Sequence, residues 1–276
     1  SRRAAVPMVQ RGMNTLPPLL TGKRGLIMGI ANDWSLAWGI AKACHAAGAE
    51  LIFTYANAAL EKRVRPLAAE LGVTEIHPCD VQSDGQLLGL AKSLEGQKLD
   101  FVVHAVAFAH KAELVGGITN TTREGFQLAM DVSCYSLIGL VKALQPNLAP
   151  DASILTLTYH GARQVVPNYN IMGVAKAALE ASVKYLAAEL GSQGQRVNAI
   201  SAGPVKTLAA SGIGEFKAML RHHEANAPLK RLTTQEDVAG AALYLLSNLS
   251  SGVTGETHYV DGGANILGAT PQTGMI

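Results

Sequence analysis

From Arg24 onward, short apolar and β-branched runs alternate with longer stretches whose apolar positions recur every three or four residues. Seven short runs read as strands: RGLIMG (24–29), ELIFTY (50–55), TEIHPCD (74–80), DFVVHAV (100–106), SILTLT (153–158), RVNAIS (196–201) and THYVDG (257–262). Between them, LAWGIAKACHAAG (36–48), LEKRVRPLAAELG (60–72), 127–148 and 169–190 carry the helical period. Several strands are almost continuously apolar, as required of strands covered by helices on both faces of a parallel sheet. The pattern predicts a single-domain α/β fold, a doubly wound, Rossmann-like parallel sheet of seven strands. The predicted domain spans 21–268, and a helical substrate lid follows strand six at about 204–226. Residues 1–20 are set aside: the basic, acid-free segment reads as an appended leader ahead of a native start at Met13, or alternatively as an organellar transit remnant, and 269–276 as a tail.

Composition supports this and removes other classes. The 276 residues are 48% hydrophobic and 16% charged, which supplies a large core and speaks against disorder. A net charge of +2 argues against a general nucleic-acid binder. Cys44, Cys79 and Cys134 are too scattered for a disulfide framework or a zinc site, and read as reduced core thiols of a cytoplasmic protein. No uninterrupted apolar run approaches the roughly 20 residues of a membrane helix.

In doubly wound sheets, ligands bind beyond the carboxyl ends of the strands, where the strand order reverses. The first such segment, GIANDWSLAWG (29–39), has Gly29 for close backbone approach and Ser35 as a helix N-cap. The N–H groups of the following helix would receive a diphosphate. FTYANAAL after strand two has neither an acid for a ribose 2′-hydroxyl nor an adjacent base for a 2′-phosphate, which favours NADH over NADPH. Asp80 and Val81 close strand three, where a carboxylate and an N–H can meet adenine, although an Asp there is as often a turn former.

NYNIMGVAK (168–176) holds Tyr169 and Lys176 seven positions apart. On a helix that spacing is roughly 20° of rotation and about 10.5 Å of rise, so both face one way, two turns apart. Such a pair can act at the two ends of a nicotinamide riboside, with the phenol toward substrate. No tyrosine in the chain has a lysine four residues later, the spacing of ketone reductases. Tyr159, in LTLTYHGAR at the end of strand five, would line the substrate pocket or share proton delivery. TLAASGIGEFKAML (207–220), with Leu208, Ile213 and Phe216, reads as an apolar lid over an acyl chain.

These residues resemble the enoyl-acyl-carrier-protein reductases, the FabI branch of the short-chain dehydrogenase/reductase superfamily. The resemblance runs from 21 to 263 and rests on GIANDWSLAWGIAKA, FVVHAVAFA, SILTLTYHGA, PNYNIMGVAKAALEASVKYLAAELG, RVNAISAGPVKTLAASGI and GVTGETHYVDGG. It implies NADH-dependent reduction of trans-2-enoyl thioesters on acyl carrier protein, in type II fatty acid biosynthesis, by a homotetramer. It assigns the cofactor phosphates to Gly29, Ser35 and Leu36, adenine to Asp80 and Val81, and a strand-four contact to Val106. Lys176 would bind the nicotinamide ribose, and Val205, Lys206, Thr207, Leu208 and Ala209 would lie over the nicotinamide and diphosphate. Ala109, Met172 and Phe216 would touch substrate, with Tyr159 and Tyr169 as the active-site tyrosines. Ala105, Ala107 and Ala56 depart from the Ser, Gly and Gln frequent in that family. Residues 203–232 carry Lys206, Lys217, Arg221, Lys230 and Arg231 against Glu215 and Glu224, a net +3 suited to an acidic carrier protein. The competing readings are a short-chain reductase acting on a ketone or alcohol, and a nicotinamide-binding protein without turnover.

Overall fold

The computed structural model describes residues 18–205 and 216–268. Within them lies one sheet of seven parallel strands: β1 (Arg24–Met28), β2 (Glu50–Tyr55), β3 (Ile76–Pro78), β4 (Leu99–His104), β5 (Leu148–Thr158), β6 (Arg196–Ala202) and β7 (Thr257–Val260). Their order is β3-β2-β1-β4-β5-β6-β7, so the direction of progression reverses between β1 and β4. All seven predicted strands are present, and the reversal marks the place where sheets of this kind hold their ligands.

The strand pleat sorts side chains onto two faces, and each face has its own core. Leu26, Met28, Ile52, Val102 and Ile154 join one cluster with α3 (Asp84–Ser93), α5 (Ser136–Leu144) and α6 (Asn170–Leu190). Ile27, Phe53, Phe101, Val103 and Leu155 join the other, with α1 (Leu36–Ala46), α2 (Ala58–Glu70) and α8 (Gln235–Leu246). Leu20, the last residue of the segment set aside as a leader, is buried in the second cluster. Cys44, Cys79 and Cys134 are buried and free.

Local chemistry explains where the elements depart from the periodicity. α2 starts at Ala58 because the Asn57 side chain accepts from the N–H groups of Ala59 and Leu60, both at 3.1 Å. The helix expected over 127–148 begins earlier, as α4 (Arg123–Met130), because Thr122 caps it by accepting from Gly125 N–H. It passes through a π turn at Asp131–Tyr135 into α5. The continuous Arg123–Asn147 segment is long and apolar enough to span a membrane by length and composition alone, although 56% of its most apolar window is buried inside the protein. β5 starts five residues before the predicted SILTLT, and its register with β4 jumps between Leu99 and Phe101, beside Pro150. Of the predicted lid, α7 (Phe216–Asn226) is described, while 206–215 and the side chains of Phe216 and Lys217 lie outside the described residues.

Candidate active site

A cavity of about 570 Å³ opens at the carboxyl ends of the strands, centred on the reversal. Each strand end delivers a short segment to it. From β1, Gly29 has φ +108°, and a Cβ there would lie 2.1 Å from the Ala105 carbonyl oxygen. Only glycine permits that approach of two strand ends. The turn then enters α1, where the N–H groups of Leu36 and Ala37 have no partner among the described residues. Unpaired amides at the positive end of a helix dipole can receive an anion, and Leu36 and Ala37 both line the cavity.

Ser35 stands at the N-cap with extended backbone, yet its side chain does not cap the helix as expected. Its hydroxyl donates to Asn32 O at 2.6 Å and accepts from Ala31 N–H at 3.4 Å, which closes the turn on itself. Beyond β3, Val81 lines the cavity, but Asp80 is not part of its wall. The Asp80 carboxylate instead accepts from Gln82 N–H at 3.1 Å, the turn-forming role.

The wall beyond β4 is Ala105, Val106, Ala107, Phe108 and Ala109. It is tied to the π turn by Ser133, whose buried hydroxyl accepts from Phe108 N–H at 2.9 Å. The same hydroxyl lies within donating distance of Phe108 O (3.1 Å) and of Met172 Sδ (3.7 Å). Met172 itself lines the cavity, as do Ala202, Gly203, Pro204 and Val205 beyond β6. Lys206, Thr207, Leu208 and Ala209 lie outside the described residues.

Tyr159 and Tyr169 meet at the cavity, rings edge to face with centroids 5.0 Å apart. Tyr159 Oη lies 3.7 Å from Met219 Sδ on α7. Burial, with a smaller contribution from Asp261, pushes the Tyr159 phenol up to about 12. Burial, with Tyr159 beside it, also raises the Tyr169 phenol. Both are therefore neutral donors near pH 7. Gly161 makes room for Tyr169, since a Cβ at Gly161 would lie 2.4 Å from Tyr169 Cδ1.

Tyr169 does not lie on the helix as the spacing predicts: it is the N-cap of α6, in a turn between Asn168 (φ +60°) and Asn170 (φ +37°), whereas Lys176 lies inside the helix, and both line the same cavity. Its Nζ donates to Leu157 O at 2.7 Å. Burial lowers its pKa to about 8, against the opposing influence of Cys134 and Glu180.

Several residues behind this surface were not singled out from the sequence. His104 is fully buried at the end of β4, between Ser136 Oγ (2.8 Å) and Thr156 Oγ1 (3.0 Å). Burial and the Lys176 charge push it down to about 3, so it stays neutral beside the ammonium. Glu180, one turn past Lys176, is buried and accepts from Thr158 Oγ1 at 3.0 Å and Arg163 Nε at 2.6 Å. A signal was present in both cases. His104 interrupts an apolar strand, and Glu180 stands four residues from Lys176 on a helix otherwise apolar on that side.

A family model described as "Enoyl-(Acyl carrier protein) reductase" matches residues 29–265. The chain is 54% identical over 253 residues to an enoyl-[acyl-carrier-protein] reductase [NADH] FabI of Rickettsia felis, covering 91% of this chain and 97% of that one. It is 55% identical over 250 residues to enoyl-[acyl-carrier-protein] reductase [NADH] 2 of Rhizobium meliloti, covering 90% and 93%. Among solved structures, an Anaplasma phagocytophilum enoyl reductase in complex with NAD superposes with a TM-score of 0.88 at 50% identity, covering 94% of this chain and 97% of that one. The Bacillus cereus enoyl reductase with NADP+ and an indole naphthyridinone gives 0.89 at 49% identity, covering 91% and 99%.

Proposed function

The chain belongs to the enoyl-(acyl carrier protein) reductase family, and from that premise we propose that Tyr169, Tyr159 and Lys176 carry its reaction. It is an NADH-dependent reductase of trans-2-enoyl groups borne on acyl carrier protein, and it serves fatty acid biosynthesis. The observation that carries the residue-level reading is that Tyr169, at the N-cap of α6, and Lys176, inside that helix, both open into one cavity at the strand-order reversal.

The residues fit the dinucleotide. The free N–H groups of Leu36 and Ala37, with Gly29 allowing close approach, suit its diphosphate. Val81 suits the adenine, and no basic side chain immediately follows β2 to hold a 2′-phosphate. Val106 and Val205 line the cavity and would flank the nicotinamide. Lys176 spends one N–H on Leu157 O, which leaves two for ribose hydroxyls. When bound, the nicotinamide supplies the hydride that reduces the substrate β-carbon.

The chain's own part is electrostatic. Negative charge grows on the thioester oxygen as the β-carbon is reduced, and a neutral donor aimed at that oxygen stabilises the transition state more than the ground state. Tyr169 is that donor, held as a phenol by burial. Tyr159 packs edge-on to its ring and fixes its direction. Lys176 adds positive potential without making a proton transfer, and water protonates the α-carbon. Ala109, Met172 and Met219 form the apolar side for the acyl chain, and the segment 204–226, including Phe216, acts as its lid. Lys206, Thr207, Leu208 and Ala209 complete the cofactor's cover from that segment.

The net +3 of residues 203–232 forms a basic rim for acyl carrier protein. The enzyme works in the cytoplasm as a homotetramer, with the exposed Tyr135, Ile138 and Tyr185 of the π turn, α5 and α6 as natural interface residues.

Two substitutions test the residue roles. Tyr169→Phe should cut kcat on a trans-2-enoyl thioester at least a hundredfold while NADH still binds, and Lys176→Ala should weaken NADH binding itself. Wild-type kcat in Tyr169→Phe would remove the tyrosine from the mechanism. Lys217→Glu with Arg221→Glu should raise KM for the carrier-bound substrate and spare the CoA thioester. Equal effects on the two would remove the basic rim.

A further inference from the structure

The turn between β1 and α1 is held from two hundred residues away. Its own hydrogen bonds are local: Ser35 N–H and Oγ to Asn32 O, Trp34 N–H to Asn32 Oδ1, and Ala31 N–H to Ser35 Oγ. Asp33 and Trp34 at its tip are exposed. The long-range polar tie among the described residues is Gln235, the first residue of α8. Its Nε2 donates to Asp33 O at 3.1 Å and to Ser35 O at 2.6 Å. The same Ser35 carbonyl accepts the N–H groups of Trp38 and Gly39, so it is where α1 begins.

Gln235 is a rigid post. Thr234 and Asp237 form a reciprocal capping box at the start of α8, and Arg231 grips the Asp237 carboxylate through both terminal nitrogens. Across from it, Gly39 supplies the space. A Cβ at Gly39 would lie 2.1 Å from Gln235 Cγ and 2.7 Å from its Cδ. Helix α1 thus carries a glycine in its first turn where the side chain from α8 crosses it.

We infer that Gln235 is a positioning residue for the cofactor: its carboxamide fixes the turn that aims the Leu36 and Ala37 N–H groups into the cavity. It sets affinity for NADH without touching the reacting atoms. This rests on the reading of that turn as the diphosphate site. Removing the tie lets the two amides wander from the anion they would meet, so the loss falls on binding and leaves the hydride-transfer step unchanged once the cofactor is saturating.

The test uses the full chain and NADH itself. Gln235→Ala removes both bonds, and Gln235→Glu keeps the size but turns a carboxylate toward two carbonyl oxygens. Each should raise the NADH dissociation constant, read by fluorescence titration of the free enzyme, roughly three- to tenfold, the range for losing one or two neutral hydrogen bonds. The KM for NADH should follow, while kcat at saturating NADH stays within about twofold. Gly39→Ala should displace the Gln235 side chain and weaken NADH binding to a similar degree. Combined with Gln235→Ala, it should cost less than the product of the two single effects, because the crowded side chain is gone.

Unchanged NADH affinity in both Gln235 variants overturns the inference. So does a loss of kcat together with melting temperature at unchanged affinity, which marks a purely structural residue. A wild-type protein that fails to bind NADH would instead defeat the cofactor reading on which the inference stands.

Discussion

Gly161→Ala should damage the reaction by displacing the ring of Tyr169 while leaving its hydroxyl chemically intact. Gly161 follows Tyr159 in the short helical turn after β5, and an added Cβ would lie 2.4 Å from Tyr169 Cδ1 and 2.8 Å from Cε1. Ordinary carbon contacts begin near 3.4 Å, so the Tyr169 ring must give by about 1 Å. It has little room to do so. The residue is 9% exposed, and its ring meets the Tyr159 ring edge-on at 5.0 Å. The Gly161 backbone is not in the left-handed region, so alanine adds no backbone strain and the effect is displacement alone. Overpacking of this kind costs about 1–3 kcal/mol of stability. A misplacement of about 1 Å in a positioned catalytic group costs on the order of a hundredfold in rate. The assay is steady-state loss of NADH absorbance with a trans-2-enoyl thioester, beside NADH titration and a thermal melt. The expected result is kcat lowered about 10- to 100-fold with NADH affinity within twofold, since Lys176 and the α1 amides are untouched. Wild-type kcat with a lowered melting temperature would refute the reasoning, because the ring would have moved without consequence.

Other consequences follow from the same geometry. Ser133→Ala leaves the Phe108 N–H and carbonyl without their partner, and should cost about 1–2 kcal/mol. It should raise KM for the enoyl substrate more than KM for NADH, and equal shifts in both would show that the 105–109 wall does not face substrate. Lys176 has a pKa near 8, below its ordinary 10.5, so its ammonium is lost as pH rises through about 8. Of the groups facing it, Cys134 and Glu180 favour the ammonium and His104 is neutral. NADH affinity should therefore fall with a midpoint near pH 8 in the wild type and stay flat in Lys176→Arg. The same midpoint in both would assign the titration elsewhere. Gly89→Ala, in α3 with nothing within 4 Å of the added Cβ, should leave kinetics alone and stabilise the fold by about 0.5–1 kcal/mol, read as a higher melting temperature.

The fold was legible because most strands are short runs rich in apolar and β-branched residues and the long helices repeat at the helical period. The departures have local causes that periodicity does not encode. The early start of β5 passes through Pro150, which masks strand character, and the π turn keeps α4 and α5 apolar without a break in pattern. At the site, Tyr159, Tyr169 and Lys176 were readable from spacing and position on the sheet, and the structure gathers all three on one cavity. Ser35 and Asp80 were found in the right turns but with different hydrogen bonds, because a short polar side chain in a turn takes the nearest backbone group. What stayed hidden depends on distance in the chain. Gln235 meets Ser35 across two hundred residues, Arg163 meets Glu180 across seventeen, and Ser133 meets Phe108 across twenty-five. None of these pairs has a local signature, since their contacts are created by the packing of helices onto the sheet.

The central claim is that the seven-residue spacing of Tyr169 and Lys176 serves reduction of a carbon–carbon double bond next to a thioester, with NADH as donor. The most direct measurement follows NADH absorbance with trans-2-enoyl-acyl carrier protein, beside a 3-ketoacyl thioester and beside NADPH. Turnover of the enoyl substrate with NADH, lost in Tyr169→Phe and absent with the ketoacyl substrate, is the expected result. Turnover of the ketoacyl substrate, or of neither, would contradict it.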